Sequence, residues 1–113
     1  MTVYKRGDIV LVPFPFSDQT TTKKRPAVVI SSSRYNSVSK DIIIMAVTSN
    51  IGKSFDVGAC LVKDWKEANL LKPSAIKPAL SSIEQALVIK KLGALSLDDL
   101  NSLNAALKEL MEL

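Results

Sequence analysis

A chain of 113 residues, 47% of them apolar, has enough material for one packed core, and a single domain over residues 1–113 is expected. It holds no histidine and one cysteine, Cys60, which excludes an internal disulfide, an ordinary zinc site and Ser-His-Asp or Cys-His catalysis. The net charge of +4 is uneven: residues 1–91 carry fourteen Lys/Arg against seven Asp/Glu, and residues 92–113 one Lys against four acids. The larger part is suited to a polyanionic partner such as nucleic acid, although a lysine-rich solvated surface has the same signature.

No apolar run approaches the roughly 20 residues of a membrane span. Asp8 and Pro13 interrupt the apolar stretch after Lys5 and Arg6, and no small-residue cleavage site follows, so no signal peptide and no membrane association are expected. With a single cysteine, a reducing cytoplasm is the simplest setting. The acids form no D-x-D cluster and four glycines make no phosphate loop, so no metal and no cofactor are expected.

In chain order, Ile9 to Pro13 reads as a strand entered from a Gly7-Asp8 turn. Pro13 and Pro15 cannot donate to a ladder, which puts this stretch at an edge or a bend. A polar segment ending in Lys23-Lys24-Arg25 leads to a second strand, Ala27 to Ser31. Residues 32–40 read as a polar loop. Asp41 to Thr48, rich in β-branched residues, reads as a central strand. Val57 to Val62 and Ala75 to Ile83 are weaker strands, and Gln85 to Lys91 is a last strand or a short helix.

The end of the chain is an amphipathic helix. Ser96 with Asp99 three residues on has the form of a capping box, and Leu100, Leu103, Leu107, Leu110 and Met111 follow at helical spacing. Asp98 and Asp99 in the first turn complement the helix dipole without any catalytic role. Cys60 and Trp65 are assigned to packing. The resulting picture is mainly β, mostly antiparallel, with one C-terminal helix covering a barrel or sheet face.

Four ordered segments carry more information. Arg6-Gly7-Asp8-Ile9-Val10, Pro13-Phe14-Pro15-Phe16, and Lys24-Arg25-Pro26-Ala27-Val28-Val29-Ile30-Ser31, followed by Ala46-Val47-Thr48-Ser49-Asn50, together resemble the MazF/PemK toxins of bacterial toxin–antitoxin modules. Leu71-Lys72-Pro73-Ser74 and Lys91-Leu92-Gly93-Ala94-Leu95-Ser96 resemble the PemK-like branch. The resemblance implies an SH3-like (CcdB/PemK-like) antiparallel β-barrel with a C-terminal helix, usually a homodimer. It implies a metal-independent, sequence-selective endoribonuclease acting on single-stranded RNA. By position, Arg25 matches the catalytic arginine and Thr48 the catalytic threonine. The loop Ser17–Lys24, with Ser17, Asp18, Thr20, Lys23 and Lys24, matches the segment bordering the RNA groove, and Phe14, Phe16, Ser49, Asn50 and Lys77 join it as substrate-binding candidates. A cognate antitoxin with an acidic, disordered tail is implied, with DNA reached only through that complex.

The chemistry is consistent with these roles. RNA carries its own nucleophile, the 2′-hydroxyl, and the developing phosphorane is more negative than the ground state. An arginine fork donates paired, charge-assisted hydrogen bonds to such oxygens, and Pro26 biases Arg25 toward an extended backbone. Thr48 offers a hydroxyl. Lys23 and Lys24 are backbone-phosphate contacts, and Phe14, Phe16 and Tyr35 offer faces for bases, although Phe14 and Phe16 share one side of a strand and at least one of them suits the core. Where some members place a D-Q or E-Q pair, this chain reads Ile76-Lys77-Pro78-Ala79-Leu80-Ser81, without an acid. Two alternatives therefore stand beside the ribonuclease: a non-catalytic, CcdB-like gyrase-binding toxin, and an inactive nucleic-acid-binding homologue.

Overall fold

The computed structural model describes residues 3–15, 22–51 and 57–113, with the side chains of Phe14, Pro15 and Thr22 excepted. Six strands form one antiparallel sheet: β1 (Asp8–Pro15), β2 (Thr22–Val29), β3 (Asp41–Thr48), β4 (Cys60–Val62), β5 (Ser74–Glu84) and β6 (Lys90–Ala94). Their order across the sheet is β4-β5-β3-β2-β1-β6, and it curls into a half-barrel. Helix α1 (Ser33–Val38) lies between β2 and β3, and α2 (Leu97–Met111) ends the chain.

β1 starts after Gly7, whose φ of 98° is a conformation that a side chain rarely tolerates. The Gly7 amide donates to the Val29 carbonyl at 2.8 Å, which ties the turn to the end of β2. β1 runs two residues beyond the expected Pro13. Its prolines are accommodated because β6 pairs only with Asp8 to Leu11, so Pro13 and Pro15 face no strand on that side.

β2 corrects the expected boundary. It begins at Thr22, five residues before Ala27, and pairs with β1 from Thr22↔Pro15 to Val28↔Ile9. Lys23 and Lys24 are thus strand residues opposite Phe14 and Pro13, not members of a loop. Cross-strand pairing overrides their weak β preference. Only Ala27 to Val29 pair with β3, and that ladder stops beside Pro26, which has no N–H to donate.

The expected loop at 32–40 contains α1. Ser32 caps it by accepting from the Tyr35 amide at 3.1 Å, and the buried Asn36 side chain donates to the Tyr4 and Ser31 carbonyls at 2.8 and 3.1 Å. Six residues are too few to show a helical apolar period. β3 occupies the expected span and is central, between β2 and β5. Between Met45↔Leu80 and Val47↔Ile76, β5 spends four steps where β3 spends two, a bulge at Lys77–Ala79 that accommodates Pro78. The Gln85–Lys91 segment is both things expected of it in turn, a 3-10 helix at Gln85–Leu87 and then the start of β6.

Strand alternation divides the core. Val10, Val12, Ala27, Val29, Ile42, Ile44 and Ala46 pack on one face. Ile9, Val28, Ile30, Met45, Val47 and Ile76 pack on the other, under Leu103 and Leu107 of α2, with Cys60 and Trp65 partly buried against them. Each fully buried Ile or Val stabilises the fold by about 1.5–3 kcal/mol relative to exposure. Ser96 caps α2 by accepting from the Asp99 amide at 3.2 Å. Asp99 does more than meet the helix dipole: its two oxygens accept from the Lys63 and Asp64 amides at 3.0 and 2.8 Å, which fastens the end of β4 to α2.

Candidate nucleic-acid interface

Arg25 sits opposite Val12 in the β1–β2 ladder and is half-buried. On its other side, β2 pairs Ala27 with Ala46. Continuing that register by two residues sets Arg25 opposite Thr48. Neighbouring strands place opposed residues on the same face, so the two residues singled out by motif project on the Ala27/Ala46 face, just past the point where Pro26 ends the ladder. Thr48 Oγ1 accepts from the Asn50 amide at 3.1 Å in a turn that terminates β3. A hydroxyl that accepts still has its proton to donate.

Beside Arg25 opens a cleft of about 670 Å³. Leu11, Pro26, Val47, Leu70 and Leu92 supply apolar lining, and Lys24, Arg25, Lys72, Lys90 and Lys91 supply cations, with Ser49, Asn69 and Ser74 among the neutral polar groups. Among the described residues no carboxylate lines it. Lys24 and Pro26 belong to the Val28 face by alternation, whereas Arg25 belongs to the other, so Arg25 marks the border between the cleft and the Thr48 side. Lys91 is committed elsewhere: its ammonium lies 3.3 Å from the buried Asp8 carboxylate, which also accepts from the Lys5 amide at 3.0 Å.

Of the candidates named from sequence, Lys24, Arg25 and Ser49 line the cleft, and the continued register puts Thr48, which does not line it, on the same sheet face as Arg25. Lys23 and Asn50 are exposed close by in sequence but do not line it, and Lys77 is exposed on the β5 bulge, also outside the lining. Phe16, Ser17, Asp18 and Thr20, and the Phe14 side chain, lie outside the described residues. Lys72 and Lys90 were not singled out. Their only sequence signal was the basic balance of residues 1–91 and their place in the Leu71–Ser74 segment and immediately before Lys91–Ser96.

Burial, and then the nearby Asp99 charge, push the Cys60 thiol up to about 11. It is a packing group and not a nucleophile at neutral pH. Among the described residues no three Cys, Asp or Glu side chains gather as metal ligands, and no helix is long and apolar enough to cross a membrane.

A curled six-stranded antiparallel sheet with a C-terminal helix packed across one face defines a class of small half-barrel β proteins. Within that class the chain belongs to the PemK-like, MazF-like toxins of type II toxin–antitoxin systems, whose family model matches residues 5–111; the family is known for endoribonucleases. No match was found among curated protein sequences. Solved structures show the same fold. An endoribonuclease from a mycobacterial species, in complex with its cognate antitoxin, superposes with a TM-score of 0.78 at 14% identity, covering 97% of this chain and 96% of that one. MazF from Deinococcus radiodurans gives 0.76 at 21% identity over the whole of both chains. A MazE–MazF structure from the same organism gives 0.73 at 23% identity over 99% of each.

Proposed function

We propose that this protein is the toxin of a type II pair and a metal-independent, sequence-selective endoribonuclease that cuts single-stranded mRNA. The observation that supports this most is the Ala27–Ala46 register of β2 and β3, whose continuation by two residues sets Arg25 opposite Thr48, at the border of a cleft that no carboxylate lines among the described residues. In this reading the substrate's 2′-oxygen bonds to phosphorus, the P–O5′ bond breaks, the 2′-proton leaves and the 5′-oxygen gains one. The products are a 2′,3′-cyclic phosphate and a 5′-hydroxyl. The Arg25 guanidinium donates to the equatorial phosphoryl oxygens, and the Thr48 hydroxyl donates to a phosphate oxygen or the leaving oxygen. Arg25 stays protonated and is the electrostatic stabiliser, not the base.

The protein acts as a cytoplasmic homodimer in this proposal. Its neutralising partner is an antitoxin with an acidic disordered tail, for which the basic cleft is electrostatically suited. DNA is met only through the antitoxin complex. The absence of an acid along Ile76–Ser81, where β5 instead bulges at Lys77–Ala79, favours one second reading, a homologue that binds RNA without cutting it. Incubating the protein in EDTA with a long single-stranded RNA, beside Arg25→Ala, decides between them. Discrete cuts with cyclic-phosphate ends that vanish in the variant support cleavage; an uncut RNA with folded protein across diverse sequences refutes it.

A further inference from the structure

Three lysines stand around the cleft on separate elements: Lys24 on β2, Lys72 in the segment before β5, and Lys90 on β6. All three are exposed, and among the described residues none has a carboxylate partner. Exposed Lys40, by contrast, has Glu84 at 4.0 Å, and Lys91 has Asp8. Gathering like charges around one hollow opposes folding and concentrates a positive potential that attracts anions.

We propose that Lys24, Lys72 and Lys90 form a phosphate-binding subsite for the RNA backbone flanking the scissile bond. The proposal rests on the ribonuclease reading for what occupies Arg25 and Thr48, and on the cleft itself for the subsite. Lys90 is opposite Leu11, and Leu11 is opposite Pro26, so Lys90 lies two strand spacings from the Arg25–Pro26 step, roughly 10 Å. Arg25 stands at the border between the Thr48 side and this cleft, which it also lines, so a strand whose reacting phosphate rests on Arg25 reaches the cleft by crossing that border. Adjoining phosphates then meet the ammonium groups, and Leu70 and Leu92 offer apolar surface to riboses. The subsite supplies affinity and register without sequence information.

The test is fluorescence anisotropy of the full chain with a labelled, mixed-sequence 2′-O-methyl oligoribonucleotide, which binds but cannot be cut, in EDTA over a range of salt. Lys72→Ala/Lys90→Ala is compared with Lys40→Ala/Lys66→Ala, which removes the same charge outside the cleft. The expected result is at least a tenfold weaker Kd at low salt for the cleft pair alone. Its log–log salt slope should be shallower by about 1.4, or 0.7 for each lost phosphate contact. In cleavage assays KM rises and kcat holds. Equal effects from both pairs, or wild-type affinity in the cleft pair, overturn the proposal. So does selective loss of polyglutamate binding with RNA binding intact, which makes the cleft an acidic-peptide site. A wild type that binds RNA through these lysines yet cuts none retires the ribonuclease reading and leaves the subsite standing.

Discussion

The Lys91 ammonium lies 3.3 Å from an Asp8 carboxylate that is 1% exposed, which joins β6 to the start of β1. Among the described residues, Asp8 Oδ1 has no hydrogen-bond partner beyond this ion pair. Removing Lys91 strands a buried charge, and removing both partners does not. Lys91→Met is therefore expected to lower stability by about 1–3 kcal/mol, discounted for the partial exposure of the lysine. The double variant Asp8→Asn/Lys91→Met should recover much of the loss. Urea unfolding of the four proteins measures the coupling, and additive losses would show that the pair is not an interacting unit.

Asp99 closes a second junction. Asp99→Ala leaves the Lys63 and Asp64 amides without their acceptor, at a cost of about 2–4 kcal/mol. Ser96→Ala loses the cap of α2 and should cost about 1 kcal/mol. Thermal melts should rank the two in that order. An Asp99→Ala melt as high as that of Ser96→Ala would mean the two amides find other partners.

Gly93 is required by contact. A Cβ there would sit 2.6 Å from the Ala68 carbonyl oxygen, a main-chain atom that cannot swing away. Gly93→Ala should destabilise by roughly 1–3 kcal/mol through displacement of the Ala68–Leu70 turn. A Tm within one degree of wild type would refute this.

The Cys60 thiol, held up to about 11 by burial and then by Asp99, should react slowly with a thiol reagent at pH 8 in the native state and rapidly once unfolded. Against the ordinary value of 9.0, its thiolate fraction is lower by about a hundredfold. The unfolded chain gives up this proton first as pH rises. Its contribution to stability is thus intact below about pH 9 and declines toward pH 11. Native labelling at the unfolded rate would contradict that burial.

For catalysis, Arg25→Ala should lower kcat by about 10²–10³-fold, as loss of a preorganised donor does. Arg25→Lys should restore little of it, because one ammonium cannot make a paired fork. Thr48→Val keeps the shape and loses the hydroxyl, so a smaller loss is expected. Single-turnover cleavage of a mapped RNA checks all three, and full activity in Arg25→Lys would remove the fork from the mechanism.

Local chemistry made much of this protein legible from its residues. β3 stands out because Asp41–Thr48 is a β-branched run, and α2 because Ser96 caps it and leucines repeat at helical spacing. Arg25 and Thr48 were found by motif. α1 was hidden because its six residues take their stability from Asn36 bonds to Tyr4 and Ser31, which no periodicity reports. Lys23 and Lys24 read as loop residues because their strand character comes from pairing with β1.

By itself, then, the sequence determined the strand β3, the helix α2, the basic balance and the arginine–threonine motif, all of which depend on side-chain identity and near-neighbour spacing. Only the tertiary structure decided that Arg25 and Thr48 fall on one face along the continuation of the Ala27–Ala46 register, that Lys72 and Lys90 line one cleft with Lys24, and that Asp8 withdraws Lys91 from that role. Strand order and register set those meetings, and they emerge from burying both faces of a curled sheet at once rather than from any short stretch of chain.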